Sequence, residues 1–377
     1  MDTLYVISKK YSPSTAQTNR LLAFVKGFGE LGTDVKVIYL MPDSKHSKIN
    51  YPLDNVEFLY LWDGGNILNK YYIFLRSLIR VLKYIKRGSS VLVYYKKILS
   101  VIPLFFITVK LYHERTEHPD VVRNTNSIIG NLMYKIYLYN CRRLDGLFVI
   151  TNNLKTHFVS QGMKIEKITV VNMVVDGSRF DNVRAYDEGE KYIAYCGTVS
   201  VGKDGVDQLI EVFHKVALVV DDVKLYVIGS FISDSDRDAI YKIVERYQLK
   251  NRVVFTGKVD FNQMPALLSN SKMLILTRPD NKQAKYGFPT KLGEYLMSER
   301  PTVVTRTGEI DIYLNDNETA LIVEPDNIDS IAEKTIWALH NYDSAQIIGR
   351  KGREVAMLNF NYKIEASKIL SVIFKKG

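Results

Sequence analysis

The sequence predicts an α/β protein of two Rossmann-like, doubly wound domains facing across a cleft. Three observations predict it. Short apolar, β-branched runs recur along the whole chain and alternate with segments of helical periodicity. The runs are nearly continuous in their apolar character, as in parallel sheets covered by helices on both faces. Residues 184–190 (RAYDEGE) are polar, carry no apolar period, and separate two series of such runs. The expected domains are therefore 1–186 and 187–360. Open parallel sheets bind ligands at the carboxyl ends of their strands, so two of them place the site in the cleft between.

In the first series, Thr3 to Ser8 opens as a strand. A loop and a helical pattern from Ala16 to Leu31 follow, and Gly32 reads as the helix stop before a strand from Asp34 to Leu40. Further strands are expected at Ser90 to Tyr94, Val109 to His113, Gly146 to Thr151 and Lys167 to Val171. In the second series the strands are Lys191 to Cys196, Lys224 to Ile228, Arg252 to Phe255, Met273 to Leu276 and Thr302 to Thr305. Helices are expected between them at Val206 to Leu218, Asp234 to Tyr247, Asn262 to Leu268 and Thr290 to Ser298. No short-period repeat is present.

The 377 residues are 46% apolar and 24% charged, which excludes disorder, collagen and low-complexity fibres. Cys141 and Cys196 are too few for a disulfide scaffold or a cysteine-rich zinc site, and a reduced, cytoplasmic setting is expected. The opening MDTLYVISKKYSPS lacks the features of a secretory signal. The longest apolar run, Val101 to Val109, is interrupted by Pro103 and Thr108. A spanning helix needs about 20 apolar residues, so no bilayer crossing is expected. The net charge of +10 is uneven: residues 1–190 carry +9 and residues 191–377 carry +1. Between Gly64 and His113 there are nine basic residues and no acidic one. That field favours anions such as a membrane surface, nucleic acid or phosphorylated substrates.

Tyr286 to Arg306 (YGFPTKLGEYLMSERPTVVTR) reads as a loop, a helix start and a buried strand. Gly287 frees the backbone for close approach, Pro289 suits a first helical turn, and the helix start offers unpaired N–H groups to an anion. Lys291 adds charge, and Glu294, one turn in, is placed to accept both hydroxyls of a ribose. The plainer alternative is that Glu294 is solvated with Lys291 as its i−3 partner. In Lys9 to Arg20, hydroxyls of Ser12, Ser14 and Thr15 are candidates for phosphate or sugar, or simply cap the following helix. His113 to Pro119 (HERTEHP) gathers titratable groups at a strand's carboxyl end. Its spacing does not match His-Glu-x-x-His, so a polar acceptor pocket or a plain hydrogen-bonded loop is expected rather than a metal. Residues 70–87 place Arg76, Arg80, Lys83 and Arg87 at helical spacing opposite an apolar face. Such a helix packs on the sheet with a solvated basic side, or that side meets anionic lipid. No nucleic-acid motif accompanies the charge.

The segment around Glu294 resembles the nucleotide-sugar signature of glycosyltransferase family 4, retaining enzymes of the GT-B architecture. In that family a Glu-x7-Glu pattern flanks a Gly-Phe-Gly or Gly-Phe-Pro loop. Gly287, Phe288 and Pro289 match the loop and Glu294 the second, ribose-binding Glu, while Tyr286 stands at the first, sugar-contacting position. Gly197 and Thr198 followed by Lys203 to Val206 resemble the family's turn after the first strand of the second domain. Lys203 falls where a lysine meets the donor diphosphate, and Thr198 stands where an Arg is usual. Arg278, Lys285 and Lys291 are the available substitutes. Other stretches in register are Val254 to Gly257 with Met264 to Leu268, Thr305 to Leu314, and Leu147 to Ser160 with Asn172, Val175, Asp176 and Phe180. The resemblance also implies that an amphipathic helix within 361–377 returns to the first domain.

What the resemblance implies is a metal-independent hexosyltransferase that needs no cofactor beyond its nucleotide-sugar substrate. It would act with retention on a glycan or lipid-linked glycan hydroxyl, at the cytoplasmic face of the membrane, in polysaccharide biosynthesis. Lys203, Lys291, Glu117 and His113 are the expected catalytic residues. Glu294, Tyr286, Gly287, Phe288, Pro289, Thr198, Gly197 and Thr15 are the expected donor-binding residues. The departing phosphate itself helps deprotonate the acceptor in this family, so no side-chain base is needed. The alternatives are an epimerase or hydrolase of GT-B fold, and a non-catalytic nucleotide-sugar or glycan-binding module.

Overall fold

The computed structural model describes residues 3–9, 11–12, 15–40, 53–60, 79–94, 104, 108–122, 128–183 and 189–375, the side chains of Tyr60, Val122 and Ile129 excepted. The chain divides into two units, Met1–Val174 with Tyr362–Gly377, and Val175–Asn361.

The first unit is built on a parallel sheet. Its strands are β1 (Thr3–Ser8), β2 (Asp34–Tyr39), β3 (Val56–Tyr60), β4 (Ser90–Tyr94), β5 (Lys110–Arg115), β6 (Gly146–Val149) and β7 (Ile168–Val170). They lie in the order β3-β2-β1-β4-β5-β6-β7. Strand β1 is central, pairing Leu4 with Val35 on one side and Tyr5 with Val91 on the other. Its residues Leu4 to Ile7 are buried, as its unbroken apolar run requires. The helix Ala16–Glu30 covers one face with Leu21, Phe24, Val25 and Phe28. Against it lies the last helix, Tyr362–Ile373, through Ala366, Ile369 and Ile373. A Cβ on Gly27 would sit 2.6 Å from that of Ala366, so the glycine permits the close helix contact. The return of the chain end to the first unit agrees with the expected helix in 361–377.

The second unit repeats the plan with β8 (Tyr192–Cys196), β9 (Lys224–Ile228), β10 (Val253–Gly257), β11 (Met273–Leu276), β12 (Thr302–Thr305) and β13 (Leu321–Val323). The order is β10-β9-β8-β11-β12-β13, all parallel. The connections run outward from β8 to β10, then restart at β11 on the other side. That reversal between β8 and β11 is a topological switch point, where the loops leaving the two strands splay apart. The expected fold class, α/β with two doubly wound parallel sheets, is what the structure shows.

Several expected boundaries move. The units divide at Val174/Val175, ahead of 186, because residues after Val175 bond within the second unit. The Val175 N–H donates to Phe360 O (2.8 Å), and Arg179 binds Glu294 and Phe261 O. Strand β5 continues to Arg115, so His113 lies inside the strand and not at its end. The helix expected at Thr290 to Ser298 is Leu292–Met297, preceded by Lys291, and Pro289 lies outside it. An additional helix, Lys282–Tyr286, begins at an Asn281 cap whose Oδ1 accepts from the Ala284 N–H (2.9 Å). Strands β3 and β13 and the helices Ile328–His340 and Tyr342–Asn359 are further additions. Ser14, Arg76 and the rest of 70–78, and 184–188, lie outside the described residues.

Candidate functional site

In the second unit, the loops leaving β8 and β11 meet around one buried carboxylate, Asp204. The short helix Val201–Asp204 is stopped by Gly205 at φ 64°. A Cβ there would lie 2.2 Å from Thr277 O, just after β11, so only glycine fits both the backbone and the space. This turn faces Asp204 inward. Its Oδ2 accepts from Lys291 Nζ (2.8 Å) and from the Tyr195 hydroxyl (2.9 Å), and Arg278 Nε stands 3.6 Å from Oδ1. Asp204 and Arg278 are each about 5% exposed, so the three charges interact with little screening. Burial alone raises the Asp204 carboxyl. Lys291, Arg278 and the Tyr195 hydroxyl together outweigh it and hold the group below the usual carboxylate range.

Two cations on one anion leave this cluster with a net positive charge beside Gly197. A Cβ on Gly197 would fall 1.9 Å from Lys291 Nζ and 2.5 Å from the Tyr195 hydroxyl. The glycine is thus the floor on which the lysine amine rests. The Tyr195 hydroxyl lies 2.8 Å from the Thr198 carbonyl oxygen, which brings Thr198 into the same set. The loop after β9 supports that floor. Gly229, at φ 143°, would place a Cβ 1.7 Å from Gly197 O. Lys203 is half-buried on the short helix, next to Asp204.

The helix Leu292–Met297 carries Glu294, and its placement is set by the residue beside it. The fully buried Tyr295 hydroxyl accepts from the Cys196 N–H (2.5 Å) and donates to Cys196 O (3.2 Å), locking the helix to the end of β8. Glu294 is not the solvated partner of Lys291. Its Oε1 is bound by Arg179 Nη1, while Arg179 stacks over Phe261 at 3.5 Å and donates to Phe261 O (2.6 Å). Lys291 belongs to Asp204 instead. Arg179 and Asp204 are the site residues that sequence reasoning missed. Both stood inside stretches already singled out, Asp176 to Phe180 and Lys203 to Val206, but neither carried a signal of its long-range partner.

The remaining expected residues are placed as follows. Tyr286 ends the helix Lys282–Tyr286 and is half-buried. Gly287 is buried and extended (φ −97°, ψ 178°), a conformation open to any residue. The strict glycine is the neighbouring Gly308, whose φ is 62° and whose Cβ would lie 2.4 Å from Ala284 O. Phe288 turns into the interior, where its ring meets Tyr313 (5.4 Å) and Phe360 (5.4 Å). Pro289 is buried with it.

The first unit holds Thr15, His113 and Glu117. Thr15 is exposed and caps the helix Ala16–Glu30, accepting from the Thr18 N–H (3.3 Å). His113 has no exposed surface. Burial lowers its pKa to about 4, and Nδ1 donates to Val93 O (2.9 Å). It is therefore a neutral core histidine at neutral pH, poorly suited to proton transfer with a solvent-facing substrate. Glu117 is half-buried in the turn after β5, with its carbonyl bound by Arg115 Nε (3.1 Å). Among the described residues, no group of three His, Cys, Asp or Glu side chains is arranged to hold a metal ion.

Residues 178–355 match the protein-family model described as "Glycosyl transferases group 1". This span contains Asp204, Lys291, Arg278, Arg179 and Glu294. Trehalose synthase of Thermococcus litoralis is 27% identical over 162 residues, 41% of this chain and 37% of that protein. Poly(ribitol-phosphate) alpha-N-acetylglucosaminyltransferase of Staphylococcus aureus is 25% identical over 222 residues, 58% of this chain and 42% of that protein. The chain thus spans about two fifths of the length of these curated relatives. Among solved structures, a variant of Staphylococcus aureus TarM in complex with fondaparinux, alpha-GlcNAc-glycerol and UDP aligns with a TM-score of 0.76. The alignment covers 99% of this chain and 100% of that one, at 14% identity.

Proposed function

We propose, from the premise that residues 178–355 are a glycosyl transferases group 1 domain, that the protein is a glycosyltransferase. It would move a hexosyl group from a nucleotide-diphosphate sugar to a glycan or lipid-linked glycan hydroxyl, with retention of anomeric configuration. The observation that carries this reading is the Asp204 cluster. It sets Lys291 over Gly197 and Arg278 beside the same carboxylate, a net positive charge at the switch point where open α/β sheets take their ligands. The outer phosphate of the donor goes from one negative charge towards two as the sugar leaves, and pre-placed cations favour that state more than the ground state. Lys291, Arg278 and Lys203 supply this charge. Asp204 keeps Lys291 aimed, since an amine on a four-carbon stem is otherwise mobile. Glu294, steadied through one oxygen by Arg179, receives the ribose hydroxyls. Backbone from Gly287 to Pro289 and the Tyr286 hydroxyl line the donor, and the departing phosphate accepts the acceptor's proton.

UDP is the nucleotide favoured here, on the support of the TarM complex that contains it. We extend the proposal to a metal-independent reaction on the cytoplasmic membrane face. The test is calorimetric titration with UDP, GDP and ADP, with and without EDTA, on the wild type and on Glu294→Ala. UDP binding unaffected by EDTA and weakened about tenfold or more in the variant is expected, the loss of roughly 1.4 kcal/mol or more from a charged hydrogen bond. Equal UDP affinity in the two proteins removes Glu294 from the ribose. No nucleotide binding by the wild type sinks the transferase reading.

A further inference from the structure

The helix Ile128–Arg143 in the first unit is apolar on two sides. Tyr137, Leu138 and Cys141 are buried against the unit. On the other side Ile128, Leu132, Ile136 and Tyr139, spaced by four, four and three residues, share one stripe. They are 89%, 57%, 36% and 59% exposed. A helix with a large exposed aliphatic stripe leaves area in water that a monomeric surface normally hides. The helix contains no acidic residue, and its three charges, Lys135, Arg142 and Arg143, are all exposed and basic. Arg142 donates to the Gln161 carbonyl (2.7 Å), Arg143 lies over the Tyr139 ring (5.9 Å to its centroid), and Lys135 is on the same helix between Leu132 and Ile136.

We infer that this stripe docks the first unit on an anionic lipid bilayer, with Ile128, Leu132, Ile136 and Tyr139 entering the headgroup boundary. An interfacial helix has this composition: aliphatic and aromatic residues on one side, with basic residues beside them to meet lipid phosphates. The alternatives fit less well. A two-fold contact between copies would join two helices that carry no acidic residue, so the basic groups of each would meet no opposite charge from the other helix. Nucleic acid would leave the aliphatic residues without a partner. In the same unit, just before β4, Ile79 and Tyr84 are exposed along with Lys83, Lys86 and Arg87. This inference sharpens the membrane part of the proposed function, moving its apolar contact to residues 128–139, and does not depend on the transferase chemistry.

The test is vesicle flotation of the full chain, using phosphatidylcholine alone and phosphatidylcholine with roughly 30 mol% phosphatidylglycerol. The wild type is expected to partition to the anionic vesicles about tenfold or more over neutral ones. Leu132→Ser with Ile136→Ser should cut that partition about tenfold or more, and so should Lys135→Glu with Arg143→Glu. All four positions are solvent-facing, so the melting temperature and UDP titration should stay as in the wild type. Those two controls separate a folding defect, or a failure of the nucleotide reading, from a failure of docking. Wild type that does not float, or serine variants that float as well as wild type, overturns the inference. So does sedimentation velocity showing that the serine changes convert a dimer to a monomer.

Discussion

His113 shows how one residue's surroundings decide its role. A histidine at a strand end reads as a proton-transfer candidate, yet here it lies within β5 with no exposure, and burial lowers its pKa to about 4. The unfolded chain binds a proton near pH 6.5 and the folded chain does not. Stability from this site is therefore complete above about pH 6.5 and falls as pH drops towards 4, by roughly 3 kcal/mol in all. Denaturant unfolding between pH 8 and pH 4.5 should show His113→Gln losing less stability than the wild type. Parallel pH curves for the two would mean the ring is solvated. Asp204 makes the opposite case, a carboxylate kept charged because two cations and a hydroxyl face it. Asp204→Asn strips the compensating charge from a buried Arg278 and a mostly buried Lys291. A loss of about 3 kcal/mol is expected in the same experiment, and a loss under about 0.5 kcal/mol would show a solvated, weakly coupled cluster.

Elements end where backbone geometry allows, and the helix Asp234–Arg246 ends at some cost. Its Leu249 N–H bonds Val244 O (2.9 Å) across Gln248, which takes φ 56°. That left-handed position normally belongs to glycine, and an L-residue there loses about 1 kcal/mol. Gln248 is exposed, so its side chain contributes little in return. Gln248→Gly should raise stability by about 1 kcal/mol in thermal unfolding; a lowered melting temperature would show that the side chain holds something in place. The helix Leu292–Met297 illustrates a different control. It is too short to hold itself by propensity, and Tyr295 on Cys196 together with Arg179 on Glu294 fixes its place. The expected site residues on it are positioned by elements far away in sequence.

Across the molecule, the chain leaves the first unit at Val174 and returns at Tyr362, so that unit is closed by its last helix. Ile369 and Ile373 are about 1% exposed, and burying two such side chains contributes about 3–6 kcal/mol. That is comparable with the whole stability of a domain of ordinary size. The helix also brings Glu365, whose Oε2 accepts from the Asn172 N–H (2.8 Å), next to the buried Arg20–Glu114 pair. A chain ended at residue 361 should keep the cooperative melting of the second unit and lose that of the first. Two transitions surviving in calorimetry would show the helix to be dispensable.

The alternation of strand and helix, the doubly wound class and most element centres were legible in the sequence because their signals are local. Apolar runs, helical periods and glycine stops act over a few residues. The two short strands escaped for the same reason: Val56–Tyr60 includes Glu57, and Leu321–Val323 has only three residues. Family resemblance also drew attention to Gly197, Lys203, Lys291 and Glu294. What only the tertiary structure decided was who meets whom. Asp204 and Lys291 lie 87 residues apart, and Arg179 and Glu294 lie 115 apart. No periodicity reports such pairs, because strand order brings them together. The same holds for Phe288 and His113, which local sequence marks as site residues and distant packing partners bury in the interior. Local sequence chooses the element; burial and charge set by distant strands choose what each side chain on it does.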